Sequence, residues 1–435
     1  MSQPVARALT LAVAGCIGIA AVLIPAFNLA VDPYRAFGSP EIPGITGVKP
    51  ETTTYGRLSK AFSVCRVRPD LVFMGSSRNE FLYNPEYGPV RAISRHPYNL
   101  SLAGTNIYEM DLMLRHAYYA SGRLKTAILG IDFLMFNAFR EAESVKREVV
   151  DFDPDELILS GRDNCFRDYL RHAGTLLFSP AALAASVKTL AEQDFIEIYL
   201  ADGMRHPYYN TLSRGLRQML TQRPGLFGQA NAYVQLMWLP PPERNYCFST
   251  PGKAISTLDV FAQMVAFARE KGIRLIFTIN PNYMTMISAI KEAGLWPKYE
   301  EWKRRMVEIL AEDAHKHGDD GFPLYDFTRM NDITAEYAPA NDANYRMTYW
   351  YEGSHSSQIV GNMMLDKVLH HPNPADPDYF GVRLRQDNID VELAKSRQAL
   401  DLYYGIHPDL VHDIKSMVAS FPYTRHLPPC PNEDD

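Results

Sequence analysis

The chain has 435 residues, a formal net charge of −6 and an ordinary balance of apolar and charged residues. That length supports one large α/β domain with insertions, or two domains, and either buries a sizeable core. The mild acidity and the lack of any long block of like charge argue against nucleic acid as a partner.

The first element is an apolar run, ALTLAVAGCIGIAAVLIPAF, from Ala8 to Phe27. It is uncharged and about 20 residues long, the length that crosses a bilayer core. The flanking Arg7 favours a cytoplasmic N-terminus, with the rest of the chain anchored to the inner membrane and its body in the periplasm. Two other fates stay open: a cleaved signal peptide, or a lipoprotein processed at Cys16 in Val13-Ala14-Gly15-Cys16. Residues 31–57 are rich in proline, glycine and threonine and read as an extended linker with local turns.

From about Leu58, short apolar runs alternate with helical patterns. DLVFMGS (70–76), YNLSL (98–102), KTAILGID (125–132), IRLIFTIN (273–280) and PLYDF (323–327) read as strands. NIYEMDLMLRHAYYA and TLDVFAQMVAFAREKG read as helices, the second ending in lysine-glycine as a helix C-terminus should. The alternation predicts a mainly parallel sheet covered by helices on both faces. Residues 139–251 break the rhythm and read as a helical insertion between two parts of one domain, 58–138 and 252–372. The insertion holds the helical run SPAALAASVKTLAEQ and a loop-rich aromatic stretch, and residues 373–435 read as a tail with one further helix.

The five cysteines, Cys16, Cys65, Cys165, Cys247 and Cys430, show neither CxxC nor Cys/His ligand spacing. No zinc site or disulfide framework is readable, although a bridge among the last four stays open. Asp151 to Glu156 imitates a calcium loop, but glutamate stands where the turn needs glycine. Asp153 and Pro154 fit a helix start better. His315 and His317 end an acidic helix before Gly318, where the helix dipole accounts for them. No P-loop, GxGxxG or HExxH occurs, so neither a cofactor nor a metal is expected.

In an open α/β sheet, sites form at the carboxyl ends of the strands. Ser77 directly follows the first strand, with Gly75 available for a sharp bend, although Gly-Ser-Ser there also suits a plain turn or helix cap. Far downstream, in YWYEGSHSSQIVGNMMLDKVL, Glu352 and His355 are three apart. A carboxylate at that distance can fix the tautomer of the imidazole and stabilise its cation, as a serine nucleophile requires of its base. His355 equally suits a capping role beside Ser356 and Ser357. A helix follows with Ile359, Val360, Met363, Met364, Val368 and Leu369 as its apolar set. Gly104 follows the second strand and can expose a backbone N–H, and Gly130 and Asp132 end the third.

The order strand-GSS, strand-Gly, strand-GxD and a late carboxylate-x-x-His resembles the SGNH/GDSL hydrolase superfamily. It is most similar to the membrane-anchored, extracytoplasmic branch that includes alginate O-acetyltransferases and the D-alanyl transfer protein of teichoic-acid synthesis. The likeness covers residues 70–132 and 273–369. It implies a three-layer α/β/α sandwich of the flavodoxin-like kind. It also implies Ser77 as nucleophile, Ser76 as second choice, His355 as general base and Glu352 as its orienter, with the N–H groups of Ser77 and Gly104 forming an oxyanion hole.

Two positions depart from that family. Glu352 is a methylene longer than the usual aspartate, and Asp132 stands where an asparagine donor is usual. An ionised Asp132 would repel an oxyanion, so it must be protonated, turned away or structurally bonded, with Asn106 or Asn79 supplying the donor. Arg78 could hold an anionic group of a substrate or sit in a structural ion pair. The resemblance implies a serine acyltransferase or esterase acting on O-acyl groups of a cell-surface glycan, working with an acyl donor and a multispanning membrane acyltransferase. The alternative is the same fold kept as a catalytically silent binding or assembly subunit of a membrane complex.

Overall fold

A computed structural model of the protein describes residues 3–140, 165–251, 255–337, 347–371, 373, 374, 376–421, 427, 429 and 430. The expected helix start at Asp153 and Pro154 lies outside these residues. The described chain forms two compact units, one of residues 3–68, 115–122 and 165–200, the other of residues 69–114, 123–140 and those from 201 onward.

The larger unit is built on a six-stranded sheet: β1 Leu71–Met74, β2 Pro97–Asn99, β3 Thr126–Ile131, β4 Arg274–Ile279, β5 Leu324–Asp326 and β6 Val382–Leu384. Their spatial order is β2-β1-β3-β4-β5-β6, with every pair from β2 to β5 parallel and β6 antiparallel to β5. The central strands are buried almost end to end, which is why they read as continuous apolar runs and not as alternating ones. Register places Met74 beside Leu129 and Ile131 beside Ile279, so the chain leaves β1, β3 and β4 at one common edge.

Five strands fall where the apolar runs predict them. β2 stops at Asn99, short of Leu102, because the Asn99 amide donates to the carbonyls of Asn79 and Tyr83 and its oxygen accepts the Ser101 N–H. Helix Thr257–Lys271 ends on Gly272 in the left-handed region, and helix Trp296–His317 ends on Gly318 in the same way. Helix Gln358–Val368 packs Val360, Met364 and Val368 into one cluster with Leu71, Phe73, Ile128 and Ile276 of the sheet. Ile359, expected in that apolar set, faces outward and is exposed.

The C-terminal region differs from the helical tail expected. Val382–Leu384 adds the sixth strand, its register pairing Leu324 with Leu384. The pattern Val-Arg-Leu-Arg is a short period-two signal, and arginines suit an edge strand, which must discourage further pairing. Two helices follow, Ile389–Ile406 and Pro408–Ala419, and Cys430 is bridged to Cys247.

In the smaller unit, helix Gln3–Val31 is apolar enough to cross a membrane. Residues 31–57 are not the extended linker expected; they fold into a packed cap. The Asp32 carboxylate accepts the N–H groups of Phe37, Gly38 and Ser39, and the buried Lys49 ammonium donates to the Val31 carbonyl at 2.6 Å. Proline and glycine set tight turns here, and buried polar side chains satisfy the backbone that the turns leave unpaired. The insertion expected over 139–251 is divided, since its helices Cys165–Phe178 and Pro180–Ala191 belong to the smaller unit and the described residues from 201 onward to the larger. Tyr34, Leu58, Phe62, Leu176 and Ala182 form the core of the smaller unit.

Candidate active site

The edge where β1, β3 and β4 end gathers the residues that carry chemistry. At the end of β1 the chain turns into the short helix Ser77–Leu82 through Gly75, whose φ is +154°. A Cβ there would lie 2.1 Å from the Asn79 side chain, so the turn is open to glycine alone. Ser76 caps the helix: its hydroxyl accepts the Arg78 N–H at 3.4 Å, and Asn79 reaches back to the Ser76 N–H at 3.2 Å. The neighbours of Ser77 on both sides are buried, whereas Ser77 itself is half-buried.

His355 comes from a turn and not from a helix. Trp350 and Ser356 make an antiparallel bridge, and the Tyr351 N–H donates to the His355 carbonyl at 2.9 Å. Glu352 and His355 therefore face each other across a tight loop, and the His355 Nδ1 hydrogen-bonds Glu352 Oε1. Nothing in the E-x-x-H spacing distinguishes such a turn from the helical one.

Glu352 is almost fully buried and well supplied with donors: Oε2 accepts the Ser354 N–H and Oε1 the Ser354 hydroxyl, both at 2.9 Å. Burial pushes its carboxyl up, but the charge of His355 and the bonds from His355 and Ser354 outweigh this and hold it below its usual value. With Nδ1–H donating to the Glu352 carboxylate, Nε2 is left to accept, and it lies 2.9 Å from the Ser77 hydroxyl. Hydroxyl, imidazole and carboxylate form one unbroken chain across 278 residues of sequence.

The fit of these parts depends on a glycine that the sequence motifs do not flag. A Cβ on Gly361, in the helix that follows His355, would lie 1.8 Å from the Leu82 carbonyl oxygen. Helix Gln358–Val368 can therefore press directly on helix Ser77–Leu82, and that approach brings the imidazole to the serine.

Aromatic rings wall the pair. Phe81 lies edge-on to His355 with centroids 5.2 Å apart, and Tyr209 stacks on Tyr208 and on Tyr351. Burial, and after it the Glu352 charge, push the Tyr209 phenol far up, so its hydroxyl stays protonated beside the imidazole. Arg205 lies over the Phe81 ring and pairs with Glu80 at 3.2 Å. The only sequence signal for this wall is the aromatic density of the stretch from 207 to 209.

The other expected residues have different occupations. Asp132 is bonded on both oxygens: Arg78 donates to Oδ1 at 2.6 Å and Ser76 to Oδ2 at 2.7 Å. Arg78 is therefore a buried ion-pair partner, and its guanidinium also faces the Tyr233 ring. Burial pushes that guanidinium down, but Asp132 and Tyr233 outweigh it and keep it charged. Ser76, the second choice as nucleophile, is buried and spent on Asp132.

Asn106 caps helix Ile107–Ser121, its oxygen accepting the Glu109 N–H at 3.0 Å. Asn79 exchanges two hydrogen bonds with Asn280 at the end of β4, at 2.8 and 2.9 Å. Both amides, expected as free donors, hold the scaffold. Gly104, with φ +70°, lies in the loop that the Leu102 N–H ties to the Gly75 carbonyl at 2.8 Å. Arg140 donates to the Gly104 carbonyl, which leaves the amide face of that residue as the one able to serve a ligand. Among the described residues, no three His, Cys, Asp or Glu side chains gather as metal ligands.

No family model, curated protein or solved structure matches the chain.

Proposed function

We propose that the protein is a membrane-anchored, extracytoplasmic serine acyltransferase or esterase of the SGNH type, acting on O-acyl groups of a surface glycan. The observation that carries this reading is the chain Ser77–His355–Glu352, with its 2.9 Å contact between the serine hydroxyl and Nε2. In the reaction the Ser77 proton passes to Nε2 while Oγ attacks the ester carbonyl. The tetrahedral oxyanion is held by the N–H groups of Ser77 and Gly104. Collapse expels the alcohol, which takes the proton from His355, and leaves an acyl-Ser77. A glycan hydroxyl or water then reverses the sequence, its proton going to His355 and back to the Ser77 oxygen. Glu352 holds the imidazole in the accepting tautomer throughout.

Further observations support the reading. The strand order 2-1-3-4-5 is that of flavodoxin-like sheets, which carry their sites at the carboxyl edge. Asp132 is compatible with oxyanion chemistry because Arg78 and Ser76 engage its carboxylate. The half-buried, mutually stacked rings of Tyr208, Tyr209 and Tyr351 lie beside the pair, the kind of aromatic lining that ligand sites use. The Cys247–Cys430 bridge and the bonded state of Cys65 suit an oxidising compartment, outside the membrane that helix Gln3–Val31 would cross.

A fluorophosphonate probe tests this. The full-length protein should be labelled on Ser77, and Ser77→Ala and His355→Ala should both abolish labelling, whereas Ser76→Ala should keep it. A folded protein that the probe leaves unmodified would point to the catalytically silent subunit instead.

A further inference from the structure

The smaller unit presents a surface that inverts the pattern of a water-facing helix. Helices Cys165–Phe178 and Pro180–Ala191 follow one another, and the segment His172–Phe178 meets the second at a bend of 54°. Ser179 caps the second of them by accepting the Ala182 N–H at 3.1 Å. Among the positions whose side chains are described, every exposed one on these helices is apolar or glycine, with Leu170, Phe178, Val187 and Leu190 the largest. Soluble proteins leave few apolar patches of that extent uncovered.

Of the described polar side chains, Ser186 and Thr189 are buried and Lys188 pairs with Glu51 at 2.6 Å. Ser186 donates to the Asn28 side chain, and Asn28 donates to the Leu177 carbonyl, both at 2.8 Å. Asn28 is fully buried near the end of helix Gln3–Val31, so one amide staples the bend of the pair to the anchor. Along the anchor the positions withdrawn from solvent are Ala20, Ile24, Pro25, Phe27, Asn28 and Val31, all but Pro25 spaced as one helical face. Helices Cys165–Phe178 and Pro180–Ala191 both pack against the anchor.

Length decides what covers the apolar face. At about 1.5 Å per residue the 29-residue anchor is about 43 Å long, against a hydrocarbon core of about 30 Å. The withdrawn face begins at Ala20, well inside the apolar run that ends at Phe27, so the pair overlaps the membrane-crossing part of the anchor by about 10 Å. Such a depth is that of interfacial helices, which sink about 5–10 Å into the boundary between headgroups and acyl chains.

We propose that helices Cys165–Phe178 and Pro180–Ala191 form a bent wedge embedded in the membrane leaflet at the C-terminal end of the anchor, with lipid covering Leu170, Phe178, Val187 and Leu190. The inference rests on reading helix Gln3–Val31 as a membrane span, and the experiment separates the two. The full-length protein, in a Cys16→Ala background, receives an environment-sensitive fluorophore through Leu11→Cys, Val187→Cys, Ala184→Cys or Gln263→Cys, and is reconstituted into phosphatidylcholine vesicles containing spin-labelled lipid. Probes at 184 and 187 should shift to the blue and lose emission to the lipid quencher as the probe at 11 does, while the exposed position 263 stays water-like. Quenching at 11 with water-like signals at 184 and 187 overturns the wedge and leaves the span intact. Water-like signals at all four positions overturn both. Blue-shifted probes at 184 and 187 that the spin-labelled lipid does not quench mean that protein, such as a second copy of this chain, covers the face, and also overturn the wedge.

Discussion

Adjacent serines at the end of β1 begin two hydrogen-bond chains with opposite characters. From Ser77 the chain runs outward to His355 and Glu352, and both the hydroxyl and the imidazole keep access to solvent. From Ser76 it runs inward to Asp132 and Arg78, where every member is buried. Each chain contains a buried carboxylate. Glu352 is bonded to a titratable imidazole and Ser354, and Asp132 to a guanidinium that stays charged. A proton can therefore move along the first chain and is locked in the second, although the residue types at their heads are identical.

The sharpest break in that contrast is Ser77→Ala. Ester turnover should fall by about 10⁴-fold or more, since a triad without its nucleophile keeps only binding and oxyanion stabilisation. Thermal unfolding should hardly change, because the hydroxyl is half-buried and bonds to a side chain that also has Glu352. Arg78→Met inverts the pattern. It strands a buried Asp132 and should cost about 3–5 kcal/mol in urea unfolding, the usual penalty for removing one partner of a buried ion pair. A loss below about 1 kcal/mol would mean that the inward chain does not brace the sheet edge.

Gly361→Ala probes the approach that joins the outward chain. Its new methyl group meets the Leu82 carbonyl and should cost about 1–3 kcal/mol, with turnover falling further than stability because His355 is carried away from Ser77. Ser76→Ala should destabilise by about 1–2 kcal/mol in the same measurement and leave fluorophosphonate labelling in place. The smallest effect is on pH dependence. The Glu352 carboxyl titrates lower folded than unfolded, so its contribution is complete above the unfolded pKa and is lost as pH falls through the folded one. Urea midpoints should drop on acidification below the usual carboxylate range, and Glu352→Gln should make that drop shallower; parallel curves would remove Glu352 from the acid response.

The strands β1, β3, β4 and β5 were legible because burial on both faces forces near-continuous apolar runs, and helix Thr257–Lys271 because its apolar periodicity and its lysine-glycine end mark it. β6 was not, since a strand of three edge residues, of which only Leu384 is buried, is too short a period-two signal to stand out. The cap over 31–57 was read as a linker because proline and glycine mark turns without saying whether the turns pack. In the site, Ser77, His355 and Glu352 are readable as a set from their order along the chain. The resemblance ranks Ser77 ahead of Ser76, whereas the residue types alone do not, because both serines follow one glycine and only their bonding partners differ. Asn106 and Asn79 illustrate a related point: an amide's availability is set by what it already bonds, and that partner lies as far away as Asn280.

By itself, then, the sequence determined local matters: where the chain is extended, where helices start and stop, and which apolar run is long enough for a bilayer. Those follow from periodicity and backbone preference within a few turns of chain. Tertiary structure decided the rest. It turned Asp132 from an obstacle to an oxyanion into the partner of Arg78, gave Ser77 and not Ser76 to the imidazole, and pressed Gly361 against Leu82. Each of these depends on which atoms meet across hundreds of residues, and distance in space leaves no trace in spacing along the chain.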